Sequence, residues 1–149
     1  MIEDLLEAWR ANNAITLELL DLCPDETFEL KPGKGKTIRS NFVHLVGVRR
    51  MWMEERTAAA AKIVPKLDWK AATRSEIRDA LNQTHDLMGD VFRKMADSTK
   101  PNRFSLLKFF AYVIAHEAHH RSQIEIALRI GGHELEDAAS YGLWDWSKK

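Results

Sequence analysis

Residues 103–132 read RFSLLKFFAYVIAHEAHHRSQIEIALRIGG, and this stretch decides the fold. Its apolar residues recur at the three- and four-residue spacing of an α-helix, and the pair Gly131–Gly132 follows the run. This pattern predicts a helix from about Arg103 to Ile130. Within it, His116 and His120 are separated by four positions, which places both imidazoles on one helical face, about a turn apart.

Three further segments have helical periodicity. They cover residues 2–21, Thr37 to about Lys62, and Thr73 to about Asp97. Thr37 is placed to cap the second helix, and the third begins with the capping box Thr73-Arg74-Ser75-Glu76. No segment alternates in the manner of a β-strand. The sequence therefore predicts an all-α fold, a four-helix bundle formed by one domain over residues 1–149.

The C-terminal tail is unusually rich in large apolar side chains. It contains Tyr141, Leu143, Trp144 and Trp146. Leaving all of these in water is unfavourable. We therefore expect the tail to pack back on the bundle.

Composition narrows the class of function. Lys and Arg total 22, as do Asp and Glu, so the formal net charge is +0, which argues against a nucleic-acid partner. No run of 18 apolar residues is present, so no membrane span is expected. Cys23 is the single cysteine, and the acidic N-terminus lacks the apolar core of a signal peptide. These features favour a cytoplasmic protein.

The position of the histidine pair on its helix suggests a metal site. On a wheel of about 100° per residue, His116 and His120 share the face of Phe109, Val113 and Ala127. The opposite face is predicted to be a solvent-exposed charge ladder at four-residue spacing. Its members are Glu117, Arg121, Glu125 and Arg129. Two inward-facing imidazoles need polar partners, and one divalent metal ion bound by both rings would meet that need. The alternative is a pair of buried histidines bonded to backbone or water.

A third ligand is expected from another helix, because catalytic zinc sites commonly have three protein ligands and one water. The second helix offers His44 and the third offers His85. Periodicity slightly favours His44, which lies nearer the middle of its apolar face. His119 lies about 60° from the pair and is expected to be an outer neighbour or exposed.

The run HEAHH also fits the H-E-x-x-H pattern of zinc peptidases. One class of these enzymes requires Gly and His at positions where this chain has Gln123 and Ile126. The other class uses a downstream glutamate on a further helix, and here little chain remains after the two glycines. Both hold substrate at a sheet edge, and no strand is predicted. A peptidase is therefore disfavoured.

The residues resemble the DinB-like family of metal-binding four-helix bundles over nearly the whole chain. The segment HEAHHRSQI at 116–124 is close to the family's typical H-E-x-x-H-R-G-Q-I, with Ser122 in place of glycine. Trp9, the stretch GKTIR through FVHL at 35–45, and the ending YGLWDW at 141–146 are also similar to family features. By this resemblance the metal ligands are His44, His116 and His120.

The resemblance implies three possible functions. Some relatives are transferases or isomerases that use the metal to activate a small thiol such as bacillithiol or mycothiol. The alternatives are a metal-dependent hydrolase of a small substrate and a non-catalytic, stress-related metal-binding protein. Three imidazoles suit zinc or nickel, and also iron, copper or cobalt. Family members often dimerise, and five tryptophans are many for a small monomer to bury, so a homodimer is expected.

Several polar residues are candidates for supporting roles. Glu117 and Glu55 are possible general bases, although Glu117 fits the charge ladder better. Asn41 and Gln123, each a turn from a histidine, are placed to orient ligand rings. The first helix carries three polar residues that predict either a wet pocket beside the metal or partial exposure at a helix flank. These are Asn12, Asn13 and Thr16.

Overall fold

The computed structural model describes residues 1–149, and every regular element in it is helical. Four long helices pack together as a bundle, as the sequence predicts. They are α1 (Ile2–Leu22), α2 (Ile38–Arg56), α4 (Arg74–Asp97) and α5 (Leu106–Ile130). Two short helices complete the fold: α3 (Ala58–Ile63) lies in the connection between α2 and α4, and α6 (Asp137–Gly142) lies in the C-terminal tail.

Two of the predicted helix starts are confirmed by their caps. The Thr37 hydroxyl accepts a hydrogen bond from the Ser40 N–H at 3.0 Å. Thr73 and Glu76 form the full capping box at the start of α4. These bonds satisfy N–H groups that have no partner inside the helix. Helix α5 begins at Leu106, slightly later than predicted. Its cap is Ser105, whose hydroxyl accepts a hydrogen bond from the Lys108 N–H at 3.3 Å.

The second helix is shorter than predicted. A continuous helix to about Lys62 is wrong, because Thr57 leaves the helical region with φ −148° and ψ 67°. The chain then starts again as α3. Thr57 is β-branched and its hydroxyl contacts the Met53 carbonyl oxygen at 3.4 Å, which weakens its preference for a helix interior.

Helices α2 and α5 run antiparallel, and their register places the site. Near the C-terminal end of α2, the Trp52 ring meets the Phe109 ring edge-on at a centroid distance of 5.1 Å. Near its N-terminal end, Asn41 meets His120. Residues between these two contacts therefore face each other in reverse order. His44 is held opposite the middle of α5 by this packing.

The core is continuous between the four long helices. Fully buried residues from each of them meet there, so burial of one stripe per helix stabilises the bundle. Representative members are Leu19, Phe42, Leu45, Ile77, Leu81, Phe92 and Phe109. None of the helices combines the length and the apolar character that a membrane-spanning helix needs.

The C-terminal tail packs on the bundle in part. Leu143 is buried, Trp146 packs against the core, and Lys149 forms an ion pair with Glu18 of α1. Tyr141 and Trp144 instead remain 76% exposed. The expectation of a packed tail is thus confirmed, but two of its aromatic rings are left at the surface.

Candidate metal centre

Three histidines from two helices converge on one point. The His44 ring centroid lies 5.4 Å from that of His116 and 4.5 Å from that of His120. The His116 and His120 centroids are 4.6 Å apart, as their spacing on α5 requires. The planes are inclined to one another by more than 50°, so the rings do not stack.

The donor atoms of this group fit a single cation. One nitrogen from each of the three rings lies within 4.8 Å of the others. A zinc–imidazole bond is about 2.0–2.1 Å long, so nitrogens this close to one another are compatible with one shared ion. No carboxylate or thiol joins the group. The site is therefore a set of three neutral donors, and the assignment of these histidines as ligands stays a prediction.

His85, the alternative third ligand, lies elsewhere. Its ring stacks on Trp9 with centroids 5.9 Å apart, and its Nδ1 is 3.0 Å from the Asp86 carboxylate. The Trp9 indole N–H donates to the His85 carbonyl oxygen at 2.9 Å. The structure therefore places the predicted alternative against α1, outside the three-histidine group.

Asn41 sets the orientation of one candidate ligand. Its amide nitrogen donates to the carbonyl oxygens of Lys36 and Thr37 at 3.2 and 3.0 Å, which fixes its oxygen towards His120. The His120 Nδ1–H then donates to that oxygen at 2.8 Å. With the proton held on Nδ1, the Nε2 lone pair is free for a metal. The predicted orienting role of Asn41 agrees with this geometry.

The environment keeps the three rings uncharged. Burial lowers the pKa of each histidine, and the positive charge of Lys36 lowers those of His44 and His120 further. The pKa of His120 falls to about 4, owing to burial and then to its histidine neighbours. Neutral imidazoles are the form that binds metal. The group is therefore ready to ligate at neutral pH.

The prediction that the charged residues of α5 face solvent is wrong for two of the four. Glu117 is 1% exposed and Arg121 is 8% exposed, so the first half of the ladder lies in the core. The buried stripe of α5 passes through Val113, Glu117 and Ile124, and the two candidate ligands lie on its flank. The pattern of charges at four-residue spacing is typical of a solvent-exposed face. Here Glu117 and Arg121 are buried instead, because side chains of α1 and α2 form hydrogen bonds with them.

The main partner of Glu117 is Arg49 of α2, which the sequence analysis did not identify. The guanidinium donates to both carboxylate oxygens, from Nε at 2.6 Å and from Nη2 at 2.9 Å. The side chains are 1% and 2% exposed. Burial raises the pKa of Glu117, but Arg49, Asn12 and Arg121 lower it by more. Glu117 is therefore an ionised structural partner.

The polar residues of α1 complete this buried network. Asn12 donates to Glu117 at 2.6 Å and accepts from Arg121 at 2.8 Å, while Asn13 accepts from Arg49 at 2.9 Å. A wet pocket and a partly exposed flank are both wrong for these residues, because they are buried and bonded to charges. In addition, Arg121 donates to the Thr16 hydroxyl and Arg49 donates to the Thr84 hydroxyl. Polar residues at inward positions of several helices were the feature of the sequence that could have indicated this network.

The remaining predicted residues lie outside the group. Glu55 is exposed, beside Lys94 at the other end of α2, so it does not reach the histidines. Gln123 is partly buried and forms no side-chain hydrogen bond to the three rings. His119 is exposed, with its ring centroid 5.1 Å from that of His120. The peptidase alternative loses its base, because Glu117 is bound to Arg49.

Comparison with known proteins identifies the family. The sequence model of the DinB superfamily matches residues 8–124, which include all three histidines. Comparisons with the curated proteins and with the solved structures gave no significant match. Because the matched range covers most of the 149 residues, and the bundle and its histidine group agree with it, the chain belongs to the DinB superfamily.

Proposed function

We propose that this protein is a metal-dependent enzyme in which the three-histidine group activates a low-molecular-weight thiol for transfer to a second small substrate. Superfamily membership and the converging imidazoles are compatible with metal binding. Zinc or nickel is the proposed ion, with iron, copper and cobalt also suited to imidazole donors. The ligands would be His44, His116 and His120.

The observation that carries this proposal is the charge of the donor set. Three uncharged imidazoles and no carboxylate surround the point of convergence. A divalent cation bound there would keep its full charge and would lower the pKa of a thiol or water beside it. Three protein ligands leave room for an exchangeable one, which is typical of catalytic rather than structural sites.

The chain has no reactive thiol of its own. Cys23 is completely buried, and burial raises the pKa of its thiol to about 12. A thiol in that state is a poor nucleophile at neutral pH. The reacting sulfur must therefore come from a small cosubstrate. Such thiols are kept reduced in a cytoplasm, which is the proposed location.

A thiol is favoured over water because no free carboxylate base adjoins the histidines. Glu117 is the acidic residue nearest to them in sequence, and it is committed to Arg49 and Asn12. A thiol has an ordinary pKa of about 8.5 and needs little help to ionise, unlike water at about 15.7. In the proposed reaction the thiol releases its proton to solvent. Its sulfur bonds to an electrophilic carbon, and the leaving group departs with its electron pair.

The test is spectroscopic. Cobalt-loaded protein is titrated with small thiols while the absorption spectrum is followed, and a sulfur-to-metal charge-transfer band is expected. His120→Ala should abolish the band and His85→Ala should leave it unchanged, because only the former lies in the three-histidine group. Absence of the band with every common cellular thiol would overturn the proposal, leaving the hydrolase or the non-catalytic protein.

A further inference from the structure

A second feature adjoins the three-histidine group. An open pocket of about 660 Å³ lies between the start of α2 and the loop before α4, and His44 forms part of its wall. The other walls include Lys31 and Lys36 from the loop before α2, and Trp69 from the opposite loop. A small molecule in this pocket would therefore lie directly beside the candidate metal centre.

The pocket is positively charged. No aspartate or glutamate lines it. Lys31 and Lys36 are exposed, and neither takes part in any of the ion pairs of the chain. The nearby Arg39 does have a carboxylate partner, Glu29, at 2.9 Å. The two lysines thus offer uncompensated ammonium groups to whatever occupies the pocket.

The first backbone N–H groups inside α2 are already bonded within the chain. The Ile38 N–H donates to the Leu30 carbonyl oxygen at 3.0 Å, and the Ser40 N–H donates to the Thr37 hydroxyl at 3.0 Å. Arg39 N–H is likewise bonded within the chain. The charged donors that face the pocket are therefore the lysine side chains, and substitutions that remove these charges test their role.

The pocket also has an apolar wall and an open floor. Trp69 is 55% exposed and lines the pocket, and the Lys70 ammonium lies 4.7 Å from its ring centroid, so the indole offers apolar surface with a further positive charge beside it. Gly47, one turn beyond His44 on α2, lines the same space, and a Cβ added there would meet no atom within 4 Å. The absence of a side chain at Gly47 keeps the floor open.

We infer that this pocket binds the anionic part of a small substrate, a carboxylate or phosphate, through Lys31 and Lys36, with its carbon skeleton against Trp69. The reacting group of that substrate would then reach the three-histidine site. The role of this pocket in a reaction rests on the proposed function, whereas anion binding itself does not. It adds a class of substrate, since the preferred thiol or its acceptor should be an anion.

Succinate, which has no thiol, tests the pocket itself. Zinc-loaded protein is titrated with succinate while the five indole N–H resonances are followed, with Trp69 assigned from Trp69→Phe. The Trp69 resonance should shift, and Lys31→Gln/Lys36→Gln should weaken binding about tenfold at low salt. Inorganic phosphate in a parallel titration distinguishes a phosphate preference from a carboxylate preference.

Two further variants sharpen this experiment. Lys100→Gln removes an exposed lysine from the loop between α4 and α5, at the opposite end of the bundle, and should change nothing. Gly47→Leu should block succinate while circular dichroism and metal content stay at the wild-type values, because its Cβ meets open space. Equal weakening by Lys100→Gln and by the double variant, or no shift at Trp69, would overturn the inference.

Two thiols separate this inference from the proposed function. With cobalt-loaded protein, mercaptosuccinate should bind about tenfold more tightly than the uncharged thioglycerol, and the double lysine variant should remove that preference. If both thiols give the charge-transfer band with equal affinity, the anion site is overturned and the proposed thiol chemistry stands. No band with either thiol, together with lysine-dependent succinate binding, overturns the thiol chemistry and leaves the anion site.

Discussion

Arg49 and Glu117 form a bidentate ion pair inside the bundle, with N–O distances of 2.6 and 2.9 Å. Arg49 lies five residues after His44 on α2, and Glu117 directly follows His116 on α5. The pair therefore ties together the two helices that carry the candidate ligands. A buried ion pair is weak evidence for stability, and we expect this one to fix the register of α2 against α5. We expect it to hold the three rings in place.

Removing one partner of this pair should be strongly destabilising. Arg49→Met leaves the buried Glu117 carboxylate without its bidentate partner and should lower the free energy of unfolding by about 3–5 kcal/mol. Chemical denaturation measures this loss. Arg129→Met is the matched control, since the Arg129–Glu134 pair is 64% and 62% exposed and should contribute less than about 1 kcal/mol.

The double variant Arg49→Met/Glu117→Met should lose less stability than the two single variants added together, by up to about 3 kcal/mol. Its metal affinity should nevertheless fall, because α2 and α5 lose the contact that sets their register. Chelator competition on the folded double variant measures this. Wild-type affinity in that variant would show that the pair does not position the histidines.

The ligand assignment predicts a sharp pattern of metal content. Tag-free protein should contain one metal ion per chain, and His44→Ala, His116→Ala and His120→Ala should each lose it. His85→Ala should retain it, because the His85 ring stacks on Trp9 away from the group. Elemental analysis gives the result directly. Retention by His44→Ala together with loss in His85→Ala would contradict the assignment.

Asn41 should tune the affinity for metal through His120. Asn41→Leu removes the acceptor 2.8 Å from His120 Nδ1 and should weaken metal binding about 10- to 100-fold. Asn41→Asp keeps an acceptor and should keep most of the affinity. Gln123→Ala is the control, since that side chain forms no hydrogen bond to the three rings. Competition with a chromophoric chelator compares the variants, and equal affinities for Leu and Asp at this position would refute the orienting role.

Acid should destabilise the metal-free protein in a defined window. The pKa of His120 is lowered from 6.5 to about 4, so between these values the unfolded chain binds more protons than the folded one. Stability is therefore lost as the pH falls from 6.5 towards 4, by about 1–3 kcal/mol after allowance for partial exposure. Urea unfolding at several pH values measures this, with His120→Asn as reference. An equal pH slope in that variant would contradict the prediction.

A homodimer is predicted, and the tail offers a place to test it. Tyr141 and Trp144 are each 76% exposed, so both rings are accessible for a contact between two chains. Sedimentation at micromolar concentration should show twice the chain mass of 17.1 kDa. Trp144→Ser should shift the protein towards monomer if the tail forms the contact, whereas Trp69→Ser should not. A wild-type protein that sediments only as a monomer would rule the dimer out.

The sequence by itself determined the features that depend on local chemistry. Helical periodicity and the caps at Thr37 and Thr73 predicted the four long helices, because both act over a few residues. The spacing of His116 and His120 likewise determined that their rings share a face. These predictions hold in the structure because neighbours along the helix create them.

Tertiary structure alone decided what each helix meets. The partners of Glu117 lie on α1 and α2, so no pattern within α5 showed that this carboxylate is buried. Periodicity slightly favoured His44, but the packing of the helices decided that its ring lies beside the α5 pair while the His85 ring stacks on Trp9. Trp69 likewise lines one pocket with the lysines before α2 only because two loops fold to the same end of the bundle. Contacts between distant segments arise from packing many side chains at once, which periodicity along one segment does not encode.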